Sequence, residues 1–278
     1  MRPTPVNLRR AALYFFLILL AAVQLFPLVW LADFSLMRDG DLFGPGFLRL
    51  PNPPQWINYA KAWTAGRIPV YLFNSILVVT ASVVVSGLVS FAAAYACTRM
   101  RWKARGLVYS LILLGMTIPI HTTLLPNFIW FNFFGLINTR IGVIIPYVAF
   151  TISFNTLVFS GFMENLPRSV EESAFMDGAG LLRILSSIVA PMCSGAWVTV
   201  GVISFLNCWN EFIMANTFIA SEKLRTLPFS IINFEGQYSS QYAAQFACMT
   251  LIALPPIVLF FIFNRWVMSG VTAGSVKG

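Results

Sequence analysis

The chain has 278 residues, of which 58% are hydrophobic and only 10% are charged, and its mean hydropathy is +0.77. This composition is too apolar for a water-soluble domain and is typical of a protein with several membrane spans. The formal net charge of +8 does not indicate nucleic-acid binding, because the basic residues are scattered at the ends of apolar stretches, where they set membrane topology.

Six apolar stretches are long enough to cross a bilayer. We therefore predict an all-α membrane protein with a single transmembrane domain over residues 1–278 and six transmembrane helices, at about 11–32, 70–98, 107–131, 141–163, 192–219 and 242–267. The first stretch is longer than the apolar region of a signal peptide, about 7–15 residues, so we interpret it as a retained span. Pro119 and Pro126 are expected to interrupt the third stretch.

Basic residues predict the orientation of these spans. Four of them, at positions 99, 101, 103 and 105, follow the second stretch within seven residues, which is the strongest positive-inside signal in the chain. With six spans, both termini and the long loop after the fourth span lie on the same side. Eleven of the 18 Lys and Arg residues fall on that side, which we predict to be cytoplasmic.

The loop after the fourth span, residues 164–191, has the pattern of a helical hairpin. Ser169 with Glu172 forms a capping box, which predicts a helix over Ser169–Met176, and Asp177-Gly178 predicts the turn. A second helix is expected to carry an apolar stripe and to end near Pro191; the stripe consists of Leu181, Leu182, Leu185, Ile188 and Val189. From these residues alone, the hairpin is either an ordinary structured loop or a docking surface for a soluble partner.

The sequence contains no catalytic or metal-binding pattern. The four cysteines form no C-x-x-C pair and are expected to be inert small apolar residues. The single histidine, His121, is expected to be packed or hydrogen-bonded. No GxxxxGK[ST] phosphate loop is present. Glu211 is nearly the only ionisable residue inside a span, and it leaves open a carrier driven by an ion gradient.

Motifs along most of the chain point to a family. Glu171-Glu172-Ser173-Ala174, followed by Asp177-Gly178-Ala179 and later by Pro191, resembles the EAA loop of the permease subunits of binding-protein-dependent ABC importers. Ser173 stands where that consensus has Ala, and Val189-Ala190 precedes Pro191 where the consensus ends in I-x-L-P. The further motifs are similar to the carbohydrate-uptake branch, of the maltose-permease second-subunit type; they are Asn74-Ser75, Ala93-Ala94-Tyr95-Ala96 with Arg99, Gly135-Leu136-Ile137-Asn138-Thr139, Gly161-Phe162, Leu166-Pro167, Trp209-Asn210-Glu211-Phe212, Leu227-Pro228 and residues 270–278.

The resemblance implies a function and a set of partners. The chain would be a non-enzymatic permease subunit of a bacterial or archaeal cytoplasmic (inner) membrane, carrying a sugar or oligosaccharide, or alternatively glycerol-3-phosphate or a related polyol phosphate. Its partners would be a homologous second permease, two cytoplasmic ATPases, an extracytoplasmic solute-binding protein and membrane lipid, with no nucleic acid. This chain would bind no cofactor, because ATP and Mg²⁺ would be held by the ATPases.

The resemblance also assigns residues. The ATPase-coupling set would be Glu171, Glu172, Ser173, Ala174, Asp177 and Gly178. In this set Glu171 would pair with a basic group of the ATPase, Ala174 would permit close approach, and Gly178 would make the turn.

Solute contacts are a separate prediction. A sugar site uses amides and aromatic faces, and the candidates near the expected pathway are Asn127, Trp130, Asn155, Asn207 and Asn210. The alternative for each is that the amide ties helices together or that the aromatic ring faces lipid.

Overall fold

The computed structural model describes residues 8–43, 49–236 and 241–275, and the regular elements within these ranges are all helical. The helices are α1 (Leu8–Ser35), α2 (Ile57–Thr64), α3 (Ile68–Thr98), α4 (Arg105–Leu114), α5 (Leu124–Phe133), α6 (Arg140–Glu164), α7 (Arg168–Met176), α8 (Leu181–Met192), α9 (Ser194–Asn210), α10 (Ile213–Phe218) and α11 (Tyr242–Ser275). Four short 3₁₀ turns link them, at Gly115–Thr117, Ile120–Thr123, Leu227–Ser230 and Ile232–Phe234. The predicted all-α class is confirmed.

Within the described residues, four segments are each long and apolar enough to span a bilayer alone: Arg10–Ser35, Ile68–Thr98, Arg140–Glu164 and Tyr242–Asn264. Two further pairs of helices meet the same test together but are sharply bent, by 95° between α4 and α5 and by 80° between α8 and α9. If each bent pair is one span, the number of spans is the predicted six.

The break in the third span is caused by a proline. Ile118 is extended (ψ 114°), as expected for a residue that precedes a proline, and Pro119 is also extended (ψ 130°). Pro126 lies in the first turn of α5, where a missing N–H costs nothing. The predicted interruption at Pro119 is therefore confirmed, whereas the predicted interruption at Pro126 is wrong.

The fifth span is not the continuous helix that we predicted over 192–219. A bend at Cys193 separates α8 from α9, and α9 ends at Asn210. Glu211 is extended (φ −75°, ψ 127°), and α10 begins two residues later at Ile213. Neither proline nor glycine occurs at this second break, so it contains no conventional helix-breaking residue.

The contacts divide the chain into two compact units, and the prediction of a single domain stays a prediction. The first unit is Met1–Pro69 with Ser230–Leu254. Its small core includes an aromatic cluster: Phe34 packs edge-on to Phe246, with ring centroids 5.3 Å apart, and Trp30 packs beside both. Most of α1 before this core is exposed along its length.

The second unit is Val70–Phe229 with Pro255–Gly278. Its core includes a three-ring cluster in which Phe91 of α3, Phe159 of α6 and Trp197 of α9 have centroids 4.8–5.3 Å apart. Gly87 lets α3 approach this cluster, because a Cβ built there would lie only 3.0 Å from Cζ3 of Trp197. The same unit holds both broken spans and the 164–191 hairpin.

Candidate functional site

A cavity of about 610 Å³ lies beside the two helix breaks of the second unit. This volume is within the usual range for small-molecule sites. The 3₁₀ turn after Pro119, the middle of α6, the end of α9 and the break after it form the wall. The polar and aromatic side chains on this wall include His121, Phe150, Thr151, Asn207, Asn210 and Phe212. Broken helices beside a cavity are characteristic of transport pathways in membrane proteins.

Glu211 holds the break between α9 and α10 in place. Its Oε1 accepts a hydrogen bond from the amide of Met214 (2.8 Å), and its Oε2 lies 3.3 Å from the amide of Ala215. The Tyr147 hydroxyl donates to Oε2 at 2.6 Å. The carboxylate thus caps the first turn of α10 and joins it to α6. Sequence reasoning had treated Glu211 as a possible ion-coupling group and had missed Tyr147.

The predicted solute contacts separate into two groups. Asn207 and Asn210 both line the cavity. Asn127 and Trp130 lie on α5 outside its lining: the Asn127 amide donates to Thr123 Oγ1 at 3.1 Å, and the Trp130 ring stacks on Phe134. Because neither side chain lines the cavity, the role of Asn127 and Trp130 in solute contact stays a prediction.

Asn155 requires a correction. Its side chain is fully buried and lies outside the cavity lining. Its Nδ2 donates to Ser86 Oγ on α3 (3.3 Å), and its Oδ1 accepts from Ser204 Oγ on α9 (3.0 Å). The structure therefore replaces the predicted solute contact with a junction of three helices, the alternative that buried amides in membranes favour.

His121 also differs from its prediction. We expected a packed or hydrogen-bonded residue, but His121 is exposed and lines the cavity. Among the described residues, no group of three or more His, Cys, Asp and Glu side chains is placed to hold a metal ion.

The 164–191 segment forms the predicted helical hairpin, but its first helix does not begin as predicted. Helix α7 begins at Arg168 after Pro167, and Ser169 makes no capping hydrogen bond. The capping box is therefore wrong, because the turn that precedes the helix places Pro167, and not Ser169, at the N-cap. The helix ends at Met176, and Gly178 adopts φ +80°, which confirms the turn that glycine makes possible.

Helix α7 has two different faces. Glu171 and Ala174 face the bundle: Glu171 is 14% exposed, and Ala174 packs against the core of the second unit. Glu172 is exposed, and Phe175 and Met176 are 70% and 85% exposed.

This arrangement corrects the roles that we assigned to Glu171 and Ala174. Glu171 is paired within its own chain, with Arg99 Nε at 3.4 Å and with the Tyr95 hydroxyl, which donates to it at 3.0 Å. Ala174 contacts its own bundle instead of an exposed partner surface. The exposed members of the predicted coupling set are Glu172, Ser173, Asp177 and Gly178.

The second helix of the hairpin contains a π turn over Leu185–Val189, which shifts its apolar face. Val189 and Ile184 are buried, while Leu182, a predicted member of the stripe, is 81% exposed. The stripe was wrong at Leu182 and missed Ile184, because the periodicity argument assumed a regular 3.6-residue repeat. Leu182 instead adds to the exposed apolar surface of the hairpin.

Comparison with known families identifies the chain. Residues 86–272 match the model of the binding-protein-dependent transport system inner membrane component. The chain belongs to this family. The match extends from the middle of α3 to the end of α11 and includes the hairpin and the cavity. The chain is therefore a permease subunit of an ABC importer, a transport component and not an enzyme.

Named relatives cover nearly the whole permease. It is 34% identical over 254 residues to the sulfoquinovosyl glycerol transport system permease of Agrobacterium fabrum, covering 91% of this chain and 89% of that protein. It is 27% identical over 275 residues to the trehalose/maltose transport system permease of Thermococcus litoralis, covering 98% of each. A chain in the crystal structure of a bacterial ABC transporter for alginate import matches with a TM-score of 0.81 and 21% identity, over 95% of this permease and 99% of that chain. This last likeness shows the fold.

Proposed function

We propose that this permease carries a sugar or oligosaccharide through the 610 Å³ cavity, driven by ATPases that dock on the 164–191 hairpin. The cavity and the hairpin lie in the same compact unit, and this observation carries the proposal. Relatives named for trehalose or maltose and for diacetylchitobiose transport support the solute class.

The chemistry of the cavity wall suits a neutral polyhydroxylated solute. The amides of Asn207 and Asn210 offer donors and acceptors for hydroxyl groups, and the Phe150 and Phe212 rings offer flat apolar faces. None of the lining residues is Lys or Arg. This wall therefore gives no fixed cation to a phosphate, which makes glycerol-3-phosphate or another polyol phosphate the weaker alternative.

An ion-gradient-driven carrier is disfavoured by the contacts of Glu211. Such a carrier needs an ionisable group that is free to gain and lose its ion. Glu211 is already occupied by the Tyr147 hydroxyl and the α10 amides. Its carboxylate has a structural task, so the energy for transport comes from a partner.

The exposed face of the hairpin supports the docking of an ATPase. Phe175, Met176 and Leu182 are large apolar side chains at least 70% exposed, and Glu172 lies beside them with its carboxylate exposed. An apolar patch with a charged neighbour is typical of a protein interface. In this arrangement the hairpin and both termini are cytoplasmic. A second permease completes the pathway, a solute-binding protein delivers the sugar from outside, and ATP with Mg²⁺ stays on the ATPases.

Co-purification tests this docking. We expect Met176→Asp to abolish recovery of the ATPase with the permease, because a carboxylate would be buried in an apolar contact. Leu50→Asp is the matched control, since Leu50 is 78% exposed but lies in the first loop, predicted to be external. Equal ATPase recovery with both variants would overturn the docking surface.

Solute identity is tested by uptake in vesicles that contain the complete transporter. Asn207→Ala is expected to raise KM for a neutral disaccharide roughly tenfold, corresponding to about 1.4 kcal/mol. A wild-type transporter that accumulates a polyol phosphate in preference to neutral sugars would contradict the proposed solute class.

A further inference from the structure

Arg99 lies where three elements of the permease meet. It follows the last residue of α3, and its side chain is only 4% exposed. Its Nη2 donates to the carbonyl oxygen of Met163 near the end of α6, and also to that of Leu166, at 2.8 Å, in the turn before α7. One guanidinium thus ties the ends of two long helices to the start of the hairpin.

Glu171 completes the junction from the side of α7. Its Oε1 lies 3.4 Å from Arg99 Nε, and its Oε2 accepts from the Tyr95 hydroxyl at 3.0 Å. Tyr95 belongs to the last turn of α3 and is itself buried. Both oxygens of the carboxylate are therefore directed at the end of α3.

The burial of this ion pair makes it an anchor. Exposed ion pairs contribute little, because water screens the charges and competes for them. At a nearly buried site, removing one partner leaves an uncompensated charge, which is strongly destabilising. The two hydrogen bonds that Nη2 donates to carbonyl oxygens also fix the direction of the guanidinium, since its donors are held in one plane.

We propose that Glu171 is a positioning residue that couples transport to ATP hydrolysis by fixing the base of α7 to α3 through Arg99 and Tyr95. The inference rests on the proposed function, in which the exposed tip of α7 docks on the ATPase. A short helix transmits a rigid-body movement only if both of its ends are held. The partner holds the tip, and the Arg99–Glu171–Tyr95 junction holds the base.

Two adjacent carboxylates allow a matched test. Glu171 contacts the junction and Glu172 is exposed, so Glu171→Gln and Glu172→Gln are identical changes at neighbouring positions that differ in burial. The complete transporter is reconstituted in vesicles, and three quantities are measured: ATPase bound per permease, ATP hydrolysed, and sugar transported per ATP.

We expect Glu171→Gln to retain bound ATPase and hydrolysis while sugar transported per ATP falls roughly tenfold, a typical size of coupling between sites. Glu172→Gln should instead reduce the amount of ATPase bound. A wild-type transport ratio in Glu171→Gln overturns the proposal, and so does loss of the ATPase to the same extent as in Glu172→Gln.

Two additions keep the test decisive. Tyr95→Phe removes one hydroxyl and leaves the ion pair, so it tests the junction even if Glu171→Gln fails to fold. It should lower the sugar transported per ATP by a smaller factor than Glu171→Gln, and a wild-type value would count against the proposal. Hydrogen exchange of the α7 amides in the permease alone should be faster in Glu171→Gln than in wild type, whether or not an ATPase binds. If the wild-type permease recruits no ATPase, the proposed function falls, whereas unchanged hydrogen exchange in Glu171→Gln refutes the anchor itself.

Discussion

The junction of Tyr147 and Glu211 allows a quantitative prediction about the break between α9 and α10. Tyr147→Phe removes the shortest of three contacts to the carboxylate, 2.6 Å, while the contacts from the amides of Met214 and Ala215 remain. A hydrogen bond to a charged group contributes about 1.5–3 kcal/mol net. We therefore expect the free energy of unfolding to fall by about 2 kcal/mol.

Glu211→Ala should cost more. The substitution removes the cap of α10, about 1 kcal/mol. It also removes the carboxylate acceptor of the buried Tyr147 hydroxyl, about 1–3 kcal/mol, and leaves that hydroxyl only the 3.4 Å contact with the main-chain oxygen of residue 211. In the double variant that hydroxyl is absent, so the two losses overlap. The expected interaction free energy between the substitutions is about 1–2 kcal/mol.

The assay is reversible unfolding of the purified permease in mixed micelles, applied to the wild type, both single variants and the double variant. Tyr71→Phe is the control, because Tyr71 is fully buried and its hydroxyl has no hydrogen-bond partner among the described residues. Removing that hydroxyl should leave stability unchanged or raise it. The reasoning is refuted if Tyr147→Phe behaves like Tyr71→Phe, or if the two variants of the pair are additive within about 0.5 kcal/mol.

Three further predictions follow from backbone shape and packing. Gly178 has φ +80°, so Gly178→Ala should lower the free energy of unfolding by about 1–2 kcal/mol and speed proteolysis of the hairpin. Gly161→Ala is the control, because a Cβ there also meets open space, and it should do neither. Similar cleavage of both variants would contradict the conformational argument. Gly87→Ala should lower unfolding stability by about 1–3 kcal/mol through its contact with Trp197. Gly201→Ala has space and should be neutral or stabilising, and the packing argument fails if both change stability alike. Asn155→Ala should lower the free energy of unfolding by about 1 kcal/mol, because it removes two hydrogen bonds within the membrane that contribute about 0.6 kcal/mol each. The KM of uptake should not change. A raised KM would show that Asn155 contacts the solute.

The positions of the spans were predictable because a bilayer admits few backbone structures. A chain inside it must satisfy its own N–H and C=O groups, so long apolar stretches become helices. The second predicted span, 70–98, differs from α3 by two residues at its start, and the fourth, 141–163, differs from α6 by one at each end. The break at Pro119 was visible for the same reason, because proline removes a donor.

The break between α9 and α10 could not be predicted from the sequence, since it depends on a contact between residues that are distant along the chain. Glu211 and Tyr147 are 64 residues apart, and Glu171 and Tyr95 are 76 apart. Sequence motifs correctly drew attention to both glutamates but could not identify their partners. For Glu171 the resemblance implies a contact with the ATPase, and for Glu211 the sequence leaves open a role in ion coupling. In the structure both carboxylates are bound by side chains of their own chain.

Apolar periodicity also failed to identify which face of a span is internal, because lipid and protein core are equally apolar. Small polar residues mark that face better. Ser82, Ser86 and Ser90 recur every fourth residue of α3 and are all fully buried, and Ser86 and Ser90 reach α6 by hydrogen bonds. The sequence of α1 contains no Ser or Thr before Ser35, and none of its most apolar window is buried within the chain. A spacing of four between hydroxyl side chains therefore marks the buried face of α3, whereas α1, which lacks such side chains before Ser35, has no buried residue in that window.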